Sequence, residues 1–219
     1  MLTRTRGGAV PNDISYDLPI RYKTTRQTAE KERIAAEAAA MVESAWVVGL
    51  NGGTTTTAVA RALTLREDLG GLGGDVPAVT VVTNALNIAH ELSVRQQIKV
   101  VLTGGVLRPQ SFELIGSLGR LIPERIRLDI VFFGVNAIDP VDGAFVYHED
   151  QASIVGLLVE HAERVVAVAV AVADRSKLGR HVFSQICEPD QIDVLITDVA
   201  APPNLLRQFE DAGIDVRAV

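Results

Sequence analysis

The chain has 219 residues, enough for one large α/β domain or two small ones. Apolar residues make up 47% and aromatics only 5%, so the core rests on Val, Ile, Leu and Ala, the composition of parallel strands covered by helices. The formal net charge of −6 argues against a nucleic-acid grip through phosphate contacts by this chain as it stands, and the lone Cys187 excludes an internal disulfide framework and fits the reducing cytoplasm.

Residues 1–20, MLTRTRGGAVPNDISYDLPI, show no hydrophobic period and carry Gly7, Gly8, Pro11 and Pro19. They read as an extended arm, with a boundary after residue 22 and one domain over 23–219. Such an arm is long for a compact domain, and points to a preceding segment in a longer protein or to docking elsewhere. Positions 1–6 are polar and no apolar leader core follows. Residues 24–44 predict a helix, with Ile34, Ala38, Met41 and Val42 on one face and Lys31, Glu32, Arg33 and Glu37 on the other. A strand at 46–50 and a helix at 55–66 follow, and then a glycine-rich connection at 69–77. Next come a strand at 79–83, a helix at 85–94, a strand at 98–103 and a short helix at 117–124. A strand at 129–135 precedes a strand-like 144–147 and a helix at 149–162. The longest apolar run, 165–173, is strand-sized and far below the roughly 20 residues of a membrane span. A strand at 194–197, a helix at 203–212 and an edge strand at 215–218 close the chain. The alternation predicts an α/β fold: a mostly parallel sheet with helices on both faces, with room for a smaller lobe around 105–150.

In such a sheet ligands bind outside the carboxyl ends of the strands. The first strand end carries Asn51, Gly52, Gly53, Thr54, Thr55 and Thr56: a tight glycine turn, then hydroxyls where a helix begins and exposes unpaired N–H groups, a receptor for an anion and above all for phosphate. The second carries Thr83 and Asn84, and the third Gly104, Gly105 and then Arg108. The fourth carries Gly134, Asn136 and Asp139, the fifth Asp174, Ser176 and Lys177, and the sixth Thr197 and Asp198. Small donors with one Arg and one Lys suit a compact polyhydroxy anion. Ordinary readings stand beside these. The glycine turn is neither a P-loop nor a dinucleotide fingerprint, and Gly and Thr also serve as caps. Gly104 and Gly105 also fit a tight turn, and Lys177 a surface lysine. His148, beside Glu149 and Asp150, reads as a helix start or a proton shuttle. His90, His161 and His181 lack zinc-ligand spacing, so neither a metal nor another cofactor is expected.

Taken in order, the motifs resemble the effector-binding domain of the deoxyribose-operon repressor (DeoR) family of bacterial transcription regulators. Residues 6–10, RGGAV, look like the junction after its winged helix-turn-helix, and 31–40 like its following helix. Gly52–Thr56, the TNALNIA of 83–89, the GG at 104–105 running to Gly116, the DIVFFGVNAID of 129–139, the ADRSKLG of 173–179 and the ITD of 196–198 continue the series. The resemblance implies a fold similar to ribose-5-phosphate isomerase and the CoA transferases. It implies a cytoplasmic sensor of a phosphorylated sugar, with Gly53–Thr56 on the phosphate and Asn84, Gly104, Gly105 and Lys177 around the ligand. It also implies a homodimer or homotetramer that meets DNA only through a helix-turn-helix not contained in these residues, and does not meet a membrane. Three positions depart from the family pattern: Asn51 in place of Asp, Ala137 in place of Gly, and Arg175 in place of Ser. Two other classes remain open. A sugar-phosphate isomerase or deaminase would use Asp139 or Glu149 as base with Lys177 beside it, although 134–137 lacks the isomerases' acidic loop. A protein-interaction scaffold would have its pocket filled by side chains.

Overall fold

The computed structural model describes residues 2–5, 8–11, 20, 27–69, 77–169 and 177–219. The predicted glycine connection and the loop with Asp174, Arg175 and Ser176 fall almost wholly outside these residues. So does much of the predicted arm, though residues 2–5 and 8–11 of it pair as antiparallel strands, β1 (Leu2–Thr5) with β2 (Gly8–Pro11).

Seven strands form one wholly parallel sheet. They are β3 (Val47–Leu50), β4 (Val79–Thr83), β5 (Ile98–Leu102), β8 (Ile130–Gly134), β11 (Val165–Ala169), β13 (Val194–Thr197) and β14 (Asp215–Ala218), in the order β14-β13-β11-β8-β3-β4-β5. Strict alternation along these runs sends side chains to two cores. Ile130, Phe132, Val166, Val168, Val194 and Ile196 face one cluster, whereas Val131, Phe133, Val165, Ala167 and Leu195 face the other. Helices α1 (Thr28–Ala40), α2 (Thr54–Thr64) and α3 (Leu86–Leu92) cover the first face through Ile34, Ala38, Val59, Leu63 and Ile88. Helices α4 (Glu149–Glu160) and α5 (Pro203–Asp211) cover the second through Val155, Leu158 and Phe209. Two aspartates tie strand starts across the sheet: Val47 N donates to Asp129 Oδ2 at 2.6 Å and Val165 N to Asp193 Oδ2 at 2.7 Å.

The segment between β5 and α4 departs from the predicted pattern. It holds a hairpin of β6 (Val106–Arg108) and β7 (Glu113–Ile115), then two 3₁₀ turns, Ser117–Gly119 and Pro123–Arg125, where a single short helix was expected. Further on, β9 (Ala137–Asp139) and β10 (Gly143–Val146) join β12 (Ser184–Cys187) in a small antiparallel sheet. The hairpin falls within residues 105–150, whereas the three-stranded sheet draws β12 from outside them.

A candidate anion site at the switch point of the sheet

From β3 the strand order runs through β4 to β5 on one side and through β8 to β14 on the other. The crevice between the ends of β3 and β8 is therefore the switch point where an open α/β sheet admits a ligand. Asn51 joins these ends. Its Nδ2 donates to Gly134 O at 2.9 Å, and its Oδ1 accepts from Gly134 N at 2.8 Å. Asn51 is fully buried and clasps the two strands.

Gly53 is the N-cap of α2 and supplies no side-chain cap. Thr56 Oγ1 and Thr57 Oγ1 turn back to donate to Gly53 O at 3.1 and 2.6 Å. The first-turn N–H groups of a helix have no acceptor within the helix. Here they stand at the positive end of the helix dipole, beside Thr54 and Thr55 on the wall of a cavity of about 70 Å³. Asn136, beyond β8, and Lys177 form the opposite wall, with Gly134 and Val135. Lys177 Nζ donates to Val135 O at 2.6 Å, which holds the ammonium at the cavity edge. Gln110 and Ser111 of the hairpin and Gln151 of α4 complete the lining, with Ile20, whose N–H donates to Gln110 O at 2.8 Å. Six of the expected ligand residues thus share one cavity: Gly52, Gly53, Thr54, Thr55, Asn136 and Lys177.

One more lining group escapes sequence reasoning. Glu113 is fully buried, yet its carboxyl lies under the glycine turn. Oε1 accepts from Gly52 N at 3.1 Å and from Asn84 Nδ2 at 3.4 Å, and Oε2 accepts from Gln151 Nε2 at 2.8 Å. Burial pushes this carboxyl above the usual carboxylate value of 4.5, against the hydrogen bonds from Ser111, Gln151, Asn84 and Gly52. The contact also explains Gly52, because a Cβ there would lie 2.2 Å from Glu113 Cγ. A lone acid between Phe112 and Leu114 gives no motif. Gln151 leaves a trace: with Ile154, Val155 and Leu158 it follows the i, i+3, i+4, i+7 spacing of a buried helix face.

The remaining expected residues sit outside the cavity lining. Thr56 acts on Gly53 as described. Thr83 Oγ1 accepts from Ala85 N at 3.1 Å, and Asn84 supports Glu113 from below. Gly105 lies against the hairpin, where a Cβ would meet Ile115 O at 2.7 Å, and Gly104 precedes it at the same corner. Arg108 donates to Ser111 Oγ at 3.1 Å and approaches His148 Nε2 at 2.6 Å. Asp139 Oδ1 accepts from Val141 N and Asp142 N, closing a turn. Its Oδ2 lies 3.6 Å from His181 Nε2, which also meets Asp142 at 2.8 Å, so the surface gathers an acid–histidine cluster that spacing did not reveal. Glu149 is exposed at the start of α4, and Asp198 accepts from Ala200 N at 3.0 Å. Among the described residues no helix is long and apolar enough to cross a membrane.

Comparison with known proteins gives the family and the fold. The model of the DeoR C-terminal sensor domain matches residues 26–199. The HTH-type transcriptional regulator GlpR of Haloferax volcanii is 34% identical over 217 residues, which cover 99% of this chain and 79% of that protein. The glycerol-3-phosphate regulon repressor of Escherichia coli K12 is 30% identical over 219 residues, covering 99% of this chain and 80% of the repressor. Among solved structures, 4-hydroxybutyrate CoA-transferase from Porphyromonas gingivalis shares the fold with a TM-score of 0.50 at 14% identity. The match covers 84% of this chain, which spans about half (51%) of the transferase. The chain belongs to the family of DeoR C-terminal sensor domains.

Proposed function

We propose that this domain senses a phosphorylated sugar or a related small phosphate metabolite, and that the cavity at the switch point binds it without turning it over. The observation that carries this reading is the junction of an uncapped helix start, Gly53–Thr55, with Lys177 and Asn136 around one cavity. A helix N-terminus, a lysine and a side-chain amide together fit a phosphate with hydroxyls attached. The Escherichia coli relative carries glycerol 3-phosphate in its name, which makes that compound the first to try. Relatives named as helix-turn-helix regulators support a division of labour: ligand shifts the balance between arrangements of this domain, and a helix-turn-helix module touches DNA. A symmetric dimer or tetramer fits that role, since operators are commonly two-fold.

Thermal-shift measurements with glycerol 3-phosphate, a panel of sugar phosphates and inorganic phosphate at millimolar concentration test the reading. At least one phosphorylated compound raises the melting temperature above what inorganic phosphate achieves, and Thr55→Val removes the shift while the protein still melts cooperatively. No stabilisation by any of them, or an undiminished shift in Thr55→Val, overturns the assignment of the cradle.

A further inference from the structure

The cavity proposed for phosphate already contains an anion-forming group. Glu113 reaches up from β7, and its Oε1 takes the N–H of Gly52, the first donor of the glycine turn. The other donors to this carboxyl are neutral as well: the amides of Asn84 and Gln151, and Ser111. The groups around it come from every neighbouring element. Gly52 belongs to the β3–α2 turn, Asn84 to the end of β4, and Arg108 and Ser111 to the hairpin. Gln151 belongs to α4, whose start carries His148, Glu149 and Asp150, and Lys177 stands on the far wall. None of the ion pairs among the described residues joins Glu113 to a cation.

The amide of Asn84 is itself incompletely satisfied. Asn84 Oδ1 is buried and has no hydrogen-bond partner, although its amide touches Glu113. A buried acceptor left without a donor is costly. Asn84 Nδ2 donates to Leu114 O at 3.3 Å as well as to Glu113, which fixes the amide with its nitrogen toward the carboxyl.

We propose that Glu113 is an internal occupant of the anion cradle, that a phosphate group competes with it for the glycine turn, and that the site therefore takes its ligand together with one proton. This rests on the phosphate reading of the cavity. Two negative charges sharing a buried site disfavour one another, so the incoming anion drives a solvent proton onto the Glu113 carboxyl. The neutral carboxyl then donates to the ligand.

Calorimetric titration of the 219-residue protein with inorganic sulfate tests this, because sulfate keeps its charge across the whole range. It is run from about pH 5.5 to about pH 8.5 in buffers of different ionisation heat. Expected for the unaltered protein is uptake of close to one proton per sulfate at the upper end, with the apparent Kd rising about tenfold per pH unit there. Glu113→Gln should bind sulfate more than tenfold tighter at pH 8, with no proton uptake and a flat profile. His148→Gln should keep the slope. Sulfate binding without proton exchange in the unaltered protein overturns the inference and leaves the cradle standing. So does a slope that vanishes in His148→Gln, which would assign the proton to the histidine. If sulfate, phosphate and the sugar phosphates all fail to bind both the unaltered protein and Glu113→Gln, the cradle itself falls. Should Glu113→Gln not fold, the proton count of the unaltered protein and of His148→Gln still decides.

Discussion

At the ends of β3 and β8 the clasp uses both halves of the Asn51 amide, one donating and one accepting. A carboxylate can only accept, so Asn51→Asp would set a buried negative charge against Gly134 O. We expect the substitution to destabilise the fold by about 1–3 kcal/mol, read as a lower urea midpoint with unchanged slope. No loss would show that the clasp carries little. Glu113 is the second residue whose chemistry reaches the whole fold. Its folded carboxyl keeps a proton to higher pH than the unfolded chain does. The unfolded state therefore releases its proton first. The associated stability is complete below the usual carboxylate value of 4.5 and is lost as pH rises through the folded value. Glu113→Gln does not titrate, so its stability relative to the unaltered protein should improve from pH 5 to pH 8, by at most about 1.4 kcal/mol per pH unit. Urea unfolding of both proteins at the two pH values measures this, and a difference that stays constant or shrinks refutes it.

Helices α1 and α2 pack through small residues, Ala35, Ala38 and Ala39 against Val59, Ala60 and Leu63, so their ends need fixing. Arg66, just past α2, does this: Nη1 donates to Ala39 O, which also accepts from Val42 N, and, at 2.8 Å, to Val42 O just beyond α1. Asp68 holds the same guanidinium. Arg66→Ala should cost about 1–2 kcal/mol and speed amide exchange in the last turn of α1, whereas unchanged exchange there would deny the clamp. The elements themselves differ in how legible they were. The central strands of the main sheet are apolar runs, largely buried on both faces, whereas the edge strands β5 and β14 expose Lys99 and Asp215; Val79–Thr83, Val194–Thr197 and Asp215–Ala218 have the expected bounds. Strands β6, β7, β9 and β12 are three or four residues long and exist only through their partners, so no local period announces them. The site divides on the same line. The cradle and Lys177 follow strand ends, which chain order reveals. Glu113 and Gln151 reach it from a hairpin and a distant helix face. Asn51, Thr83 and Arg108 also follow strand ends, yet their polar atoms hold backbone or neighbouring side chains in place.

Across the whole molecule, the small sheet is tied to the cavity wall. Asn136 N donates to Phe145 O at 2.9 Å and Tyr147 N to Asn136 Oδ1 at 3.3 Å. Ile138 N donates to Lys177 O at 2.8 Å, and Gly179 N to Ile138 O at 2.7 Å. Cys187, the single cysteine, is buried on β12 of that sheet. Burial pushes its thiol up from 9.0 to about 12, so above pH 9 the unfolded chain ionises first and stability falls as pH climbs towards 12. At pH 8 the native thiol is both covered and protonated, and an aromatic disulfide reagent should reach it only after opening. If the sheet opens together with the cavity, a ligand at about one hundred times its Kd should slow the labelling about a hundredfold, because ligand binds the closed state alone. If the sheet opens by itself, labelling keeps its rate whatever the ligand concentration. The hydrogen bonds through Asn136 and Lys177 favour the first outcome. In a sensor this coupling would carry occupancy of the cavity to the ends of the small sheet's strands, where Val141, between β9 and β10, and Phe183, just before β12, stand exposed.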